Sequence, residues 1–237
     1  VFDNWRLTGG TKETFLSQLE KNQDVKNILL DESPWLLEAT TEAERQQRIA
    51  TLFDVNQLNY RNMSSLLKLK ELQVEEGAWS WFGGMSGNRY VTRYITGLLV
   101  RLSLLTDKAL PEEVAVMKDK AFDYLNKEAL KEYRDIRKAE KNGIKITVLS
   151  DAAMEYLYLV ALGSEKLSGE YAKAFDYFLT KLGGNLENGT MIRKAQTAVI
   201  LQTVGRRTEA NEFIASIKEH LVQTDEMGAH FAFHANP

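Results

Sequence analysis

The sequence contains no cysteine in 237 residues. This absence excludes disulfide bonds, thiolate nucleophiles and cysteine-ligated zinc within these residues. Proline is also scarce, with three residues in the whole chain, and a proline in a helix interior costs roughly 3 kcal/mol. Because long segments show apolar residues at helical spacing, the low proline content supports an all-α protein.

Runs of basic residues and long runs of apolar residues are missing as well. The formal net charge is −3 and the arginines are scattered, so the basic face that nucleic-acid binding requires is not expected. No stretch of about 20 apolar residues is present, so no membrane span is predicted. The chain starts with VFDNWRLTGG, which lacks the features of a signal peptide, and ends within an aromatic stretch, HFAFHANP. We therefore expect a piece of a longer protein.

Motifs of catalysis and metal binding are few. His230 and His234 have the i,i+4 spacing that can hold a metal on a helix. However, HFAFHANP lacks the glutamate of the His-Glu-x-x-His motif, and the segment is typical of a loop. The glycines between Gly83 and Asn88 form neither a nucleophile elbow after a strand nor a phosphate-binding loop. We predict no catalytic residue, no metal ligand and no cofactor.

Helical segments of two kinds alternate along the chain. Charged amphipathic segments precede apolar ones, and glycines or an Asn-Gly pair end several of them. This alternation predicts helical hairpins in which one helix faces solvent and the next faces a shared interior, as in a solenoid or a closed α/α toroid. The predicted helices cover residues 42–54, 57–73, 89–105, 112–125, 126–141, 147–162, 168–182, 189–204 and 206–222.

The segment GAWSWFGGMSGNRYVTRY, residues 77–94, combines aromatic residues, glycines and a helix start. It fits a sugar platform with Trp79 and Trp81 exposed, a structural corner between helices, or a partner surface with indole hot spots. The corner is favoured because burying a tryptophan stabilises a fold by several kcal/mol. Trp79 and Trp81 are therefore predicted to be mainly structural, with at least one of them partly buried. Asn88 is predicted to be the N-cap of the following helix.

A weak internal similarity links this corner to the end of the chain. KELQVEEGAWSWF resembles KEHLVQTDEMGAHFAF, and both contain a Gly-Ala pair, Gly77-Ala78 and Gly228-Ala229. Two copies of one corner would indicate two turns of a repeating scaffold, and chance similarity is the competing explanation.

These residues resemble a known family. The segment from Gln73 to Tyr94 is similar to the signature of the helical thioester-containing domain of alpha-2-macroglobulins, and LLDESPWLLEATTEAERQQRIATLFD resembles the leader before it in the bacterial branch. DEMGAHFAF resembles a later glycine-aromatic corner of the same domain. The residues that match the signature, with a structural role, are Gln73, Gly77, Trp79, Trp81, Phe82, Thr92 and Tyr94.

The resemblance implies one α/α-toroid domain over residues 1–237, incomplete at both ends, within a protease trap of the periplasm or the outer cell envelope. Its partners would be proteases, bound by the full-length protein, and other domains of the same chain. The family's internal thioester joins a Cys and a Gln, and this chain has no cysteine. We therefore expect a non-enzymatic scaffold. The alternative is a carbohydrate-active or other α/α-toroid enzyme with Trp79 and Trp81 in a cleft, and a third possibility is a plain interaction module.

Overall fold

The computed structural model describes residues 55–105, 109–224 and 228–231, and these residues are mostly helical. The all-α prediction is confirmed. Among the described residues, no helix is both long enough and apolar enough to cross a membrane. The predicted helix at 42–54 lies outside the described residues.

The chain divides into two compact units, Val1–Leu69 and Lys70–Pro237. The described part of the first unit is the beginning of helix α1, which spans Val55–Leu72. The single domain over residues 1–237 stays a prediction. All further elements belong to the second unit.

Eight α-helices, one short 3-10 helix (Leu182–Gly184) and one two-stranded sheet are found in the described residues. The elements after α1 are α2 (Arg89–Leu105), α3 (Glu112–Lys141), α4 (Asp151–Gly163), α5 (Gly169–Leu179), α6 (Asn185–Asn188), α7 (Met191–Thr203), α8 (Arg207–Lys218), β1 (Leu221–Thr224) and β2 (Gly228–Phe231).

Helix α2 begins and ends where the sequence predicts, but two predicted helices, 112–125 and 126–141, form the single helix α3. The reason is that neither glycine nor proline interrupts residues 112–141, and Asn126 at the predicted boundary is a buried core residue. Its amide oxygen accepts a hydrogen bond of 2.7 Å from the Tyr156 hydroxyl. Burial raises the pKa of that hydroxyl.

The later helices are shorter than predicted. Ser150 precedes α4 as its N-cap, since its hydroxyl oxygen accepts a hydrogen bond from the Ala153 N–H at 3.0 Å. Thr190 caps α7 in the same way. Helix α8 ends at Lys218, not at residue 222.

Strands β1 and β2 were not predicted from the sequence. They pair antiparallel, with Leu221 opposite Phe231 and Thr224 opposite Gly228. His230 therefore lies in a strand and not in the predicted loop, and His234 lies outside the described residues.

The long helices of the second unit pack side by side around one apolar core. Helix α4 contacts α2 on one side and α7 on the other, so these three apolar helices form one row. Helix α3 packs on α2 and α5, and α8 packs on α7. We call α2, α4 and α7 the inner helices, and α3, α5 and α8, which flank them, the outer helices. Residues such as Leu157, Phe178 and Ile200 form the core between them. The toroid stays a prediction.

Candidate functional site

The segment between α1 and α2 folds as a tight corner. Gln73 and Trp79 form an isolated antiparallel bridge, and the Val74 N–H donates to the Ala78 carbonyl at 2.8 Å. The Ser80 N–H donates to the Leu72 carbonyl at 3.0 Å. The corner is therefore a short hairpin that directly continues the end of α1.

Gly77 allows this hairpin to approach α3. Its φ is +92°, a conformation that side chains with a Cβ rarely adopt. A Cβ at this position would lie 2.2 Å from the carbonyl oxygen of Lys120. The backbone of the corner thus touches the backbone of α3, which only glycine permits.

The side chain of Gln73 completes this contact. Its Nε2 donates to the Gly77 carbonyl at 3.0 Å and to the Met117 carbonyl of α3 at 2.8 Å. One amide group therefore closes the turn and fastens it to a helix 44 residues further along the chain.

Trp79 is fully buried, and the start of α2 holds its backbone. The Trp79 N–H donates to Oγ1 of Thr92 at 2.8 Å, and the Trp79 carbonyl accepts from the Asn88 N–H at 2.8 Å. The Thr92 hydroxyl in turn donates to the Asn88 carbonyl at 2.8 Å. Asn88 also caps α2, as predicted, because its Oδ1 accepts from the N–H groups of Tyr90 and Val91 at 2.9 and 3.1 Å.

The other predicted signature residues lie on the surface. Trp81 is 53% exposed, Phe82 70% and Tyr94 61%. The alternative in which both tryptophans line a cleft is wrong for Trp79, whose side chain is inside the fold. The structure thus separates the predicted residues into a buried clip (Gln73, Gly77, Trp79, Thr92) and an exposed set (Trp81, Phe82, Tyr94).

Sequence reasoning missed the neighbours of Trp81. Tyr90 lies beside it, with ring centroids 6.1 Å apart and ring planes 17° apart, and the Arg93 guanidinium lies 5.4 Å from the Tyr90 ring centroid. The sequence did indicate arginine near these aromatic residues, because residues 77–105 contain three arginines, Arg89, Arg93 and Arg101, and no aspartate or glutamate.

A chain of polar contacts joins the starts of the inner helices. Arg89 at the start of α2 forms a 2.8 Å ion pair with Glu132, and the other oxygen of Glu132 accepts from the Ser150 hydroxyl at 2.5 Å. Arg193 of α7 donates to Asp151 and to the Leu149 carbonyl, both at 2.8 Å. The starts of α2, α4 and α7 are therefore linked through these side chains. These polar groups satisfy one another, which is typical of a structural network.

A second polar cluster joins α3 to the end of α5. Lys181 lies 2.7 Å from Glu140, and Arg137 lies 2.8 Å from the other oxygen of that carboxylate. Both cations also lie over the ring of Tyr177. The hydrogen bond from Lys181 is the main cause that holds the pKa of Glu140 below its usual value. Within the described ranges, no group of three or more His, Asp or Glu side chains could hold a metal ion.

Comparison with protein-family models, with curated proteins and with solved structures finds no match for this chain. The function is therefore argued from the residues and their geometry alone.

Proposed function

We propose that the chain is a helical scaffold, of α/α-toroid type, within a bacterial alpha-2-macroglobulin-like protease trap of the cell envelope. The chain itself performs no chemistry. It provides a stack of helical hairpins on which other parts of the protein pack and rearrange when a protease cuts.

The buried clip is the observation that carries the proposal. The clip makes its contacts inside the fold. Gln73 and Gly77 contact the backbone of α3, and the Trp79 N–H donates to the Thr92 hydroxyl. A signature with these contacts acts as a joint between helices. The row of α2, α4 and α7 with α3, α5 and α8 beside it supports the toroid expectation, since continued rotation of such hairpins around a common axis would close a ring.

The test uses the native protein that carries this sequence, tagged at its genomic locus and mixed with trypsin. The trap proposal expects the cleaved protein to retain trypsin on a native gel, and to retain it on a denaturing gel as well if a thioester is present. Trypsin blocked at its active site is the control, because trapping requires cleavage. The 237-residue chain alone should leave trypsin activity unchanged.

Digestion of the native protein without any complex would contradict the trap. A second candidate, a carbohydrate-active α/α-toroid enzyme, is favoured only by the exposed Trp81. Release of reducing sugar ends from a polysaccharide would support that candidate instead.

A further inference from the structure

The exposed side of the corner carries aromatic rings that are held in place. Trp81 and Tyr90 keep more than half of their surface exposed, with ring planes 17° apart, and Tyr94 follows one helical turn after Tyr90. Patches of large exposed aromatic residues on a protein surface usually mark a binding site.

The backbone beneath these rings is fixed. The Ser80 hydroxyl donates its one hydrogen to the Phe82 carbonyl at 2.9 Å, with the Leu72 carbonyl at 3.2 Å as the second acceptor in reach, and so holds the residues on both sides of Trp81. Tyr90 belongs to the first turn of α2, which Asn88 caps. The rings are therefore presented by a rigid frame, which lowers the entropy cost of binding.

Helix α2 carries three arginines, Arg89, Arg93 and Arg101. Arg89 is paired with Glu132, but Arg93 and Arg101 form no ion pair with any residue that the structure describes. Each lies on a tyrosine ring, Arg93 on Tyr90 and Arg101 on Tyr158 at 5.8 Å. A guanidinium that stacks on a ring keeps its N–H groups available at its edge for a carboxylate or sulfate.

We propose that Trp81, Tyr90, Arg93 and Tyr94, the aromatic-arginine surface, bind an acidic polysaccharide. Sugar rings carry a face of C–H bonds that packs on the electron-rich face of an aromatic ring. Their carboxylate or sulfate groups would accept hydrogen bonds from Arg93. This inference is independent of the scaffold role, because the surface lies outside the buried clip.

An acidic protein could also use tryptophan, tyrosine and arginine, which are common in protein interfaces. The arrangement along α2 favours a sugar chain. The exposed aromatic residues continue along the helix from Tyr90 to Tyr94, with Arg93 between them, which suits an extended acidic ligand.

The experiment measures binding of the chain to polygalacturonate by isothermal titration calorimetry, with neutral dextran and poly-L-glutamate as comparison ligands. We expect saturable binding to polygalacturonate that weakens when NaCl rises from about 50 mM to about 500 mM. Trp81→Ala and Arg93→Gln should each weaken binding by about tenfold, since each removes one stacking or charge-assisted contact. Arg207→Gln is the matched control, because Arg207 is an exposed arginine of α8 with no aromatic neighbour in the described part of the chain.

Each other outcome would overturn the proposal. Absence of binding, or equal binding to dextran, would show that the surface does not recognise an acidic sugar. Equal affinity for poly-L-glutamate would indicate an acidic protein partner, and equal weakening by Arg207→Gln would indicate unspecific charge attraction. If Trp81→Ala lowers the melting temperature, Tyr94→Ala on the exposed face of α2 takes its place with the same expected loss.

Discussion

Trp79 and Trp81 lie two residues apart and have opposite environments. In a continuous strand, residues at this spacing would point to the same face. The extended run ends at Ser80, whose hydroxyl donates to the Phe82 carbonyl and bends the chain. Trp79 therefore packs inside while Trp81 faces solvent. Sequence patterns predict that at least one indole is buried, but the bend that decides which one depends on a local hydrogen bond.

A substitution at Gly77 tests the contact between the corner and α3. Gly77→Ala places a Cβ against the Lys120 carbonyl and requires the φ of +92° to persist with a side chain. We expect the free energy of unfolding to fall by about 2 kcal/mol or more, because backbone strain and steric overlap act together. Urea unfolding followed by circular dichroism measures the change.

The control for this substitution is Gly83→Ala, in the same segment. No atom lies within 4 Å of a Cβ built on Gly83, so its effect should stay within about 0.5 kcal/mol. Equal losses for the two variants would show that the contact between Gly77 and α3 contributes nothing specific.

Among the elements, α3 shows the limit of reading helix ends from residue types. Asn126 and the charged residues after it suggest a new helix, but the polar side chain faces the core. It can do so because Tyr156 of α4, 30 residues later, supplies its hydrogen bond. A partner so distant in sequence is invisible to local periodicity. By contrast, the bounds of α2 follow from Asn88 and an apolar pattern, which are both local.

Tyr156→Phe tests this contact between α3 and α4. Removal of the hydroxyl leaves the buried Asn126 oxygen without its donor, so we expect a loss of about 1–3 kcal/mol in the free energy of unfolding. The double variant Tyr156→Phe/Asn126→Leu should recover part of the loss, because removing both polar groups together leaves neither unsatisfied. If the double variant loses more free energy of unfolding than the two single variants lose together, this account is wrong. Chemical denaturation of the parent protein, the two single variants and the double variant measures this double-mutant cycle.

The two Gly-Ala pairs lie in different settings. Gly77 has a φ of +92° and lies between the bridged residues Gln73 and Trp79, whereas Gly228 has a φ of +64° and is the first residue of strand β2. The internal repeat stays a prediction. Trp79, next to the first pair, is buried, whereas Phe231 near the second is about half exposed. The sequence does not predict the short strands, because four residues are too few to show the alternation of apolar and polar residues that marks a strand.

Across the second unit, polar clusters connect the helices that the apolar core packs together. One such cluster surrounds Glu140 and joins the last turn of α3 to Lys181, which follows α5. Its carboxylate has a lowered pKa, so it contributes stability above the ordinary pKa of a glutamate, and this contribution is lost as pH falls through the lowered value.

Glu140→Gln should therefore lower the urea midpoint at pH 7, and the difference from the parent protein should shrink as the pH falls below about 4.3, the usual glutamate pKa. Urea titrations at a series of pH values test this. Glu113→Gln is the control, because Glu113 forms a 3.7 Å pair with an exposed Lys70 and such pairs contribute little. A difference that stays constant with pH would refute the assignment of the acid response to Glu140.

At this scale the sequence predicts the helical class, since it follows from periodic apolar residues, and the closed ring of inner and outer helices stays a prediction. It predicts the corner as a joint and names Gln73, Gly77 and Thr92. It does not reveal the positions of Arg93 and Tyr90 around Trp81, because ring contacts depend on side-chain directions at the start of a helix.

The contact of the corner with α3 has a consequence for the order of assembly. Gln73 and Gly77 meet Met117 and Lys120, so the joint cannot close until α3 has formed and docked. Pairs such as α7 and α8 are adjacent in sequence and can form early, because a short connection costs little entropy to close. Closure of this joint around the buried Trp79 should therefore follow the docking of α3 during refolding.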